Sequence, residues 1–430
     1  MVEKLKMFEF GSHEEAVKRG GKELTTTKGV EGWKADEKGG RFVRCRLVGR
    51  DFKKKGIKER EDLFAAMPPL ESKKSMFRMV AGMRRQRRRK GLAEVKLMFI
   101  DVRKAHLNAV CEEEEWVQLP EEFWEHGRYA RLKRWLYGMR KAAAGWEEDY
   151  AKRMVAEGFK RGRGAPTVFY NQRTEVRVVV HGDDFTFSGT KVELDSMRRK
   201  MEEWDDIKDR GMMGSGEGEI KEVTILGRTV RWTNEGIEYE ADAEHRAKLM
   251  KAEGLEENSK VAVGPAVKDG GGAEALEEVK LEGAWEHKEF RSKGATLNYL
   301  GQDRSDIQYA VKMICQGMST PTEGGRAKIK RAVRYLVGAK RLVWRYGEKE
   351  ADDEAVVVDV FVDSDWASGA ERKSTSGGMM CVDGVGIKHW SRTQKAQALS
   401  SSEAEYYAMV TGGAEGLGMQ PLADDLGWKV

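Results

Sequence analysis

The chain has 430 residues, enough for roughly two to four domains with real apolar cores. Charged residues make up 35% and the formal net charge is +5, a balance too even to establish nucleic-acid binding by itself. The four cysteines, Cys45, Cys111, Cys315 and Cys381, lie far apart, which excludes a disulfide framework and zinc-ligand spacing; with no secretory leader or membrane-length apolar run, the expectation is an intracellular protein, cytoplasmic or nuclear and not secreted.

In chain order, residues 1–35 are polar and weakly patterned and are expected to be partly ordered at most. Phe42, Val43, Leu47 and Val48 set a strand over 40–50 that also carries Arg41, Arg44, Arg46 and Arg50. Residues 72–90 read as a basic helix containing Arg84, Arg85, Arg87, Arg88, Arg89 and Lys90. That run, like Lys53-Lys54-Lys55, suits phosphate contact or a solvated helix end equally well. Leu97-Met98-Phe99-Ile100 is a strand closing on Asp101, before an acidic stretch at Glu112–Glu115. From Arg131 to Phe159, Trp135, Leu136, Tyr137, Met139, Trp146, Tyr150 and Met154 recur at largely helical spacing. Val178-Val179-Val180-His181-Gly182-Asp183-Asp184-Phe185 has the form of a β-hairpin with two carboxylates at its tip, and 191–207 reads as an amphipathic helix. Glycines at 211, 214, 216 and 218 break periodicity before strand material near Ile225 and Val230. A Gly-rich linker, Asp269 to Gly272, precedes a helical block over 288–340. Val356 to Val362 is a strong strand reaching Asp363, further strands follow over 379–390, and Ser400 opens a helix carrying Glu403 and Glu405.

Two of these places carry chemistry. Asp183 and Asp184 repel one another, and a fold keeps such a pair at a strand tip mainly where a cation sits. Oxygen-only ligands suit Mg²⁺, although Asp-Asp is also an ordinary turn. Asp101, ending a separate strand, adds a third acid that can converge on the first two. That set fits a two-metal site for phosphoryl or nucleotidyl transfer. In the C-terminal section, Asp363 or Asp365 with Glu405 or Glu403 fits a two-metal nuclease, while serine capping explains the helix start without one.

Several segments, in order, resemble the Pol polyprotein of copia-type LTR retrotransposons. Arg44-Cys45-Arg46-Leu47-Val48-Gly49-Arg50-Asp51-Phe52 looks like the family's Lys-Ala-Arg-Leu-Val-Ala-Lys-Gly-Phe. Asp101-Val102-Arg103-Lys104-Ala105-His106-Leu107-Asn108 resembles Asp-Val-Lys-Thr-Ala-Phe-Leu-Asn. Leu136-Tyr137-Gly138-Met139-Arg140-Lys141-Ala142-Ala143-Ala144-Gly145-Trp146 is similar to Leu-Tyr-Gly-Leu-Lys-Gln-Ala-Pro-Arg-Ala-Trp, and His181-Gly182-Asp183-Asp184 stands at Tyr-Val-Asp-Asp. Tyr299-Leu300, Arg304-Ser305-Asp306-Ile307 and Ala332-Val333-Arg334-Tyr335-Leu336 resemble the connecting segment. Arg372-Lys373-Ser374-Thr375-Ser376-Gly377 and Leu399 to Tyr406 look like the family's ribonuclease H part.

The resemblance implies an α+β chain with a right-hand polymerase of fingers, palm and thumb, then a connecting helical region and an incomplete ribonuclease-H-like α/β domain. The corresponding segments are 1–39 weakly patterned, 40–210 fingers and palm, 211–350 palm end, thumb and connection, and 351–430 ribonuclease-H-like. It implies a reverse transcriptase using an RNA template, a DNA primer and deoxyribonucleoside triphosphates, with Mg²⁺ or Mn²⁺ held by Asp101, Asp183 and Asp184. Arg44 and Arg46 would contact the triphosphate. Tyr137 and Gly138, with His106, would line the nucleotide pocket. In the nuclease part Asp363 and Glu405 would hold metal. The basic run 84–90 would contact nucleic acid. The sequence leaves the oligomeric state open.

Departures qualify this. His106 stands where the family has an aromatic gate against the ribose 2′-hydroxyl, and His181 replaces Tyr; the resulting Gly-Asp-Asp resembles that of RNA-dependent RNA polymerases. Lys141-Ala142-Ala143 replaces Gln-Ala-Pro. No third nuclease aspartate is seen, so little ribonuclease H activity is expected. The chain reads as a polyprotein fragment, with a catalytically decayed nucleic-acid-binding remnant as the alternative.

Overall fold

The computed structural model describes residues 6–20, 24–35, 40–53, 61–266, 279–348, 356–368 and 372–428. Helices and strands are mixed along the chain in an α+β arrangement. Two compact units form, Met1–Pro69 with Met98–Gly211, and Leu70–Leu97 with Met212–Val430. Leu70–Leu97, inside the 40–210 segment, clusters with the second unit.

The first unit holds a five-stranded sheet in the order Phe8–Gly11, Tyr129–Leu132, Trp116–Gln118, Thr25–Ala35, Arg41–Gly49. This corrects the reading of residues 1–35 as weakly ordered. Phe8–Gly11 pairs antiparallel with Tyr129–Leu132, and Ser12 Oγ accepts the Glu15 amide as helix His13–Gly20 begins. Residues 1–5 and 21–23 of that segment lie outside the described residues.

The other sheet runs Ile207–Met213, Val95–Val102, Asp184–Thr190, Val176–His181, Val168–Asn171, Lys160–Arg161. Its central strands are near-continuous apolar runs because both faces are covered. Val178, Val179, Val180, Phe185 and Phe187 are all buried. Helix Ala142–Ala156 sets Tyr150 edge-on to Phe185, ring centroids 5.5 Å apart, and to Phe169 at 6.0 Å. Helical spacing over 131–159 is thus realised only from Ala142 onward. Upstream, Tyr129–Leu132 is a strand and Tyr137-Gly138 a turn that pairs with Val48. The Gly-rich 208–219 stretch likewise contains strand Ile207–Met213, formed by non-local pairing.

The second unit contains two sheets. Strands Glu222–Ile225, Arg228–Trp232, Gly236–Ala241 and Trp344–Gly347 form one, and Val358–Ser364, Thr375–Val382 and Val385–Thr393 the other. Helices Ala243–Ala252, Ala284–Gly301, Gln308–Gln316 and Glu323–Gly338 share a core of Leu249, Leu297, Leu300, Val311, Val333 and Leu336. Helix Ser401–Asp425 lies on strand Val358–Ser364 closely enough that a Cβ on Gly412 would meet Val362 Cγ1 at 2.5 Å. The linker expected at Asp269 to Gly272 lies outside the described residues. No described helix is long and apolar enough to cross a membrane.

Helix Leu70–Arg89 is basic as expected, but its first four cations, Lys73, Lys74, Arg78 and Arg84, are buried. Lys74 Nζ lies 3.2 Å from Asp303, and both side chains are almost fully buried. Arg228 Nε and Tyr239 Oη also donate to Asp303, at 2.7 and 2.9 Å. Trp344 donates Nε1 to the Asp303 carbonyl and stacks on His389, centroids 5.9 Å apart. Burial, with the nearby Lys74 charge, pushes the His389 imidazole down from 6.5 to about 4. His389 is therefore neutral when folded and protonates readily only when unfolded. Stability is full above pH 6.5 and falls as pH drops from 6.5 towards 4, by up to about 3 kcal/mol. Urea titrations at pH 7.5 and pH 4.5 measure this loss, and His389→Phe is expected to flatten that limb.

Candidate nucleotidyl-transfer site

The hairpin places the acids. Asp184 pairs with His181 across the turn, so Gly182 and Asp183 form its tip. Trp146, buried on the neighbouring helix, donates Nε1 to the Gly182 carbonyl at 2.9 Å and fixes that tip. Val102 N donates to the Asp183 carbonyl at 2.9 Å, which sets the end of strand Val95–Val102 beside the hairpin. Asp101, Asp183 and Asp184 thus meet at one end of the sheet.

A residue the sequence reading passed over joins them. Arg210 Nη2 lies 2.8 Å from Asp101 Oδ2 and 3.6 Å from Asp184 Oδ1. The donor chemistry of three carboxylates suits a hard divalent cation. Their placement does not: a guanidinium bridges two of them, and among the described residues no three His, Cys, Asp or Glu side chains gather to hold an ion.

The pocket wall comes from strand Arg41–Gly49. Gly49 N donates to the Tyr137 carbonyl at 2.7 Å, which carries Arg44 and Arg46 towards the acids. The Arg46 guanidinium lies 5.9 Å from the Tyr137 ring centre, and His106 packs on that ring at 4.8 Å. Burial pushes the His106 imidazole down, against the pull of nearby Asp183, and leaves it neutral at neutral pH. Its Nδ1 is buried and has no hydrogen-bond partner among the described residues. Burial, then Asp183, raises the Tyr137 phenol, while Arg44 and Arg46 oppose that rise. Tyr137 thus lies in a tilted contact with His106, near Arg46, and within electrostatic reach of Arg44, Asp101 and Asp183.

Gly138 makes this docking possible. Its φ is +81°, and a Cβ there would sit 2.3 Å from the Gly49 carbonyl oxygen. Gly138→Ala must strain the turn or push the arginine-bearing strand away. We expect a loss of about 2 kcal/mol on thermal denaturation, and an unchanged melting temperature would refute the close approach.

The other expected sites fare unevenly. Glu405 Oε1 accepts the Ser364 amide at 3.3 Å, while Asp363 is exposed on the strand face opposite Val360 and Val362, against which that helix packs. Their rivals have structural duties: Glu403 caps its own helix through the Leu399 amide, and Asp365 accepts the Thr375 amide and the Ser368 hydroxyl. Of the basic run, Arg84 is buried over the Trp232 ring at 4.6 Å and donates to the Thr233 carbonyl. Arg88 forms a fork with Glu348, and Arg87 donates to the Ala93 carbonyl. Arg85 is half-buried, while Arg88, Arg89 and Lys90 are exposed.

No family model matches the chain. Its similarity to curated proteins is extensive all the same. It is 23% identical over 346 residues to the retrovirus-related Pol polyprotein from transposon RE2 of Arabidopsis thaliana, covering 76% of this chain and 22% of that protein. It is 22% identical over 402 residues to the Pol polyprotein from transposon TNT 1-94 of Nicotiana tabacum, covering 89% of this chain and 28% of that one. Over three quarters or more of its length the chain is thus similar to Pol polyproteins of copia-type transposons. It spans about a quarter of the length of these Pol relatives. An uncharacterized mitochondrial protein of Arabidopsis thaliana is 34% identical over 128 residues, 30% of this chain and 52% of that protein. Among solved structures, a Candida albicans telomerase in complex with a telomeric RNA fragment aligns over 77% of this chain and 62% of that one. Its identity is 8% and its TM-score 0.30, too low to inform the fold of this chain.

Proposed function

We propose that this copia-type chain is an RNA-directed DNA polymerase module that extends a DNA primer on an RNA template, built as fingers, palm and thumb. The carrying observation is the convergence of Asp101, Asp183 and Asp184 opposite Arg44, Arg46, Tyr137 and His106. Carboxylates and arginines lie on either side of a tilted pair of rings, a polarity suited to a nucleoside triphosphate. In the reaction the primer 3′-oxygen bonds to the α-phosphorus, the bond to the β-phosphate oxygen breaks, pyrophosphate leaves, and the hydroxyl proton passes to solvent. Arg44 and Arg46 offer charge-assisted donors to the triphosphate oxygens. Tyr137 and His106 bracket the sugar. With a neutral imidazole in place of a bulkier ring, discrimination against ribonucleotides depends on His106 packing against Tyr137.

A second reading has its own support. Arg210 bridging Asp101 and Asp184 favours a decayed, nucleic-acid-binding relative, in which that cation has replaced the metals. Extension of an oligo(dT) primer on poly(rA) separates the two. The polymerase reading requires dTTP incorporation that depends on Asp183, and salt-dependent template binding without incorporation would support the decayed relative instead.

A further inference from the structure

Strand Val358–Ser364 stands at the end of its sheet, beside Thr375–Val382. Val357 N donates to Asp383 Oδ1 and Asp365 N to the Thr375 carbonyl, so the odd-numbered residues turn their backbone groups towards the neighbouring strand. The amides and carbonyls of Val358, Val360 and Val362 therefore point to the outer edge, where no strand pairs among the described residues. On that edge the Ser364 amide is taken by Glu405, so helix Ser401–Asp425 flanks it. Between Tyr406 and Pro421 the helix has one charged residue, Glu415, and it pairs with Lys388 and Arg392. Tyr406, Met409, Val410 and Leu417 are each more than half exposed. A surface helix normally carries polar residues on that side. Gly412 lies against Val362, and Gly416 against Val360. At about 100° per residue, Met409 and Gly413 come next beyond the strand edge, then Tyr406, Leu417 and Val410. Strand edge and apolar stripe form one continuous surface.

We propose that this surface binds a second copy of the chain, strand edge to strand edge and helix to helix. A single extended peptide would satisfy the edge but leave Val410 and Leu417, on the far side of the stripe, in water. A partner must bring a strand and an apolar helix at the same spacing, and this chain presents that pair itself. An antiparallel two-fold centred on Val360 lets its outward amide and carbonyl bond to those of Val360 of the partner subunit. Asp359 then stands opposite Phe361 of the partner subunit. Centring on Phe361 would instead set Asp359 opposite Asp363 of the partner subunit, a destabilising like-charge pair. Both helices lie on the Val360 face, so their stripes meet across the axis. A Cβ on Gly413 would meet nothing within 4 Å, which leaves room for the second helix.

The test is sedimentation equilibrium of the full chain. A concentration series reaching on the order of 100 µM should show a reversible monomer–dimer equilibrium. Val410→Arg combined with Leu417→Arg, at exposed positions, should weaken dimerisation by about a hundred-fold and leave the circular dichroism unchanged. Phe361→Asp should weaken it likewise, by setting acid against acid. Phe361→Lys, opposite Asp359 of the partner subunit, should keep or tighten the dimer. A chain monomeric throughout would overturn the proposal and leave the surface to a different partner. A dimer indifferent to the helix pair and to Phe361→Asp would also overturn it, because such a dimer uses another face. Equal weakening by Phe361→Asp and Phe361→Lys would overturn the pairing centred on Val360.

Discussion

Asp303→Asn should destabilise the second unit by about 3–5 kcal/mol, the range for breaking one side of a buried ion pair. The Asp303 side chain is 1% exposed and serves three donors, Lys74, Arg228 and Tyr239. An asparagine keeps the shape and leaves two buried cations without their shared anion. Burial already pushes the Lys74 ammonium down, and Asp303 pulls it back up. Losing that pull drives Lys74 towards the neutral amine. Lys74 also lies 5.2 Å from the Tyr239 ring centre and 5.6 Å from that of Trp344, so some attraction for the cation survives. Adding Lys74→Met should therefore recover part of the loss, a coupling of at least about 1 kcal/mol in a double-mutant cycle. Urea unfolding followed by tryptophan fluorescence measures both. A single-variant loss under about 1 kcal/mol would mean the hub is solvated rather than buried.

How far the sequence discloses this molecule depends on how local each feature is. The Asp183-Asp184 hairpin is legible because its strands are adjacent in sequence and their apolar run is unbroken. Asp101 is legible for the same reason, at the end of a strand buried on both faces. The bridge from Arg210 is not, because it joins residues 109 apart through a strand that the glycines around 211 disguise. Phe8–Gly11 escapes detection likewise, since its partner is Tyr129–Leu132. The aromatic spacing from Arg131 suggested helix, yet Gly138 takes a positive φ that no helix allows. Helix Leu70–Arg89 misled in another way. Charged side chains are rarely buried, so a run of Lys and Arg reads as surface. Here Lys74, Arg78 and Arg84 find carboxylates, carbonyls and rings inside the fold.

Asp183→Asn should abolish primer extension. Asp183 stands exposed at the hairpin tip, while Arg210 engages the other two acids. It is thus the carboxylate most open to an incoming substrate. An interaction worth several kcal/mol in the transition state is at stake, and each 1.36 kcal/mol is ten-fold in rate, so the loss should be on the order of a thousand-fold. Asparagine preserves the turn, so folding and template binding should persist. The decisive measurement is extension of oligo(dT) on poly(rA) by the purified chain with Mg²⁺, using dTTP and separately UTP, beside Asp183→Asn. The account predicts dTTP incorporation lost in the variant, with the dTTP-to-UTP ratio reporting on His106. Absent incorporation despite tight template binding, or extension that survives Asp183→Asn, would contradict it.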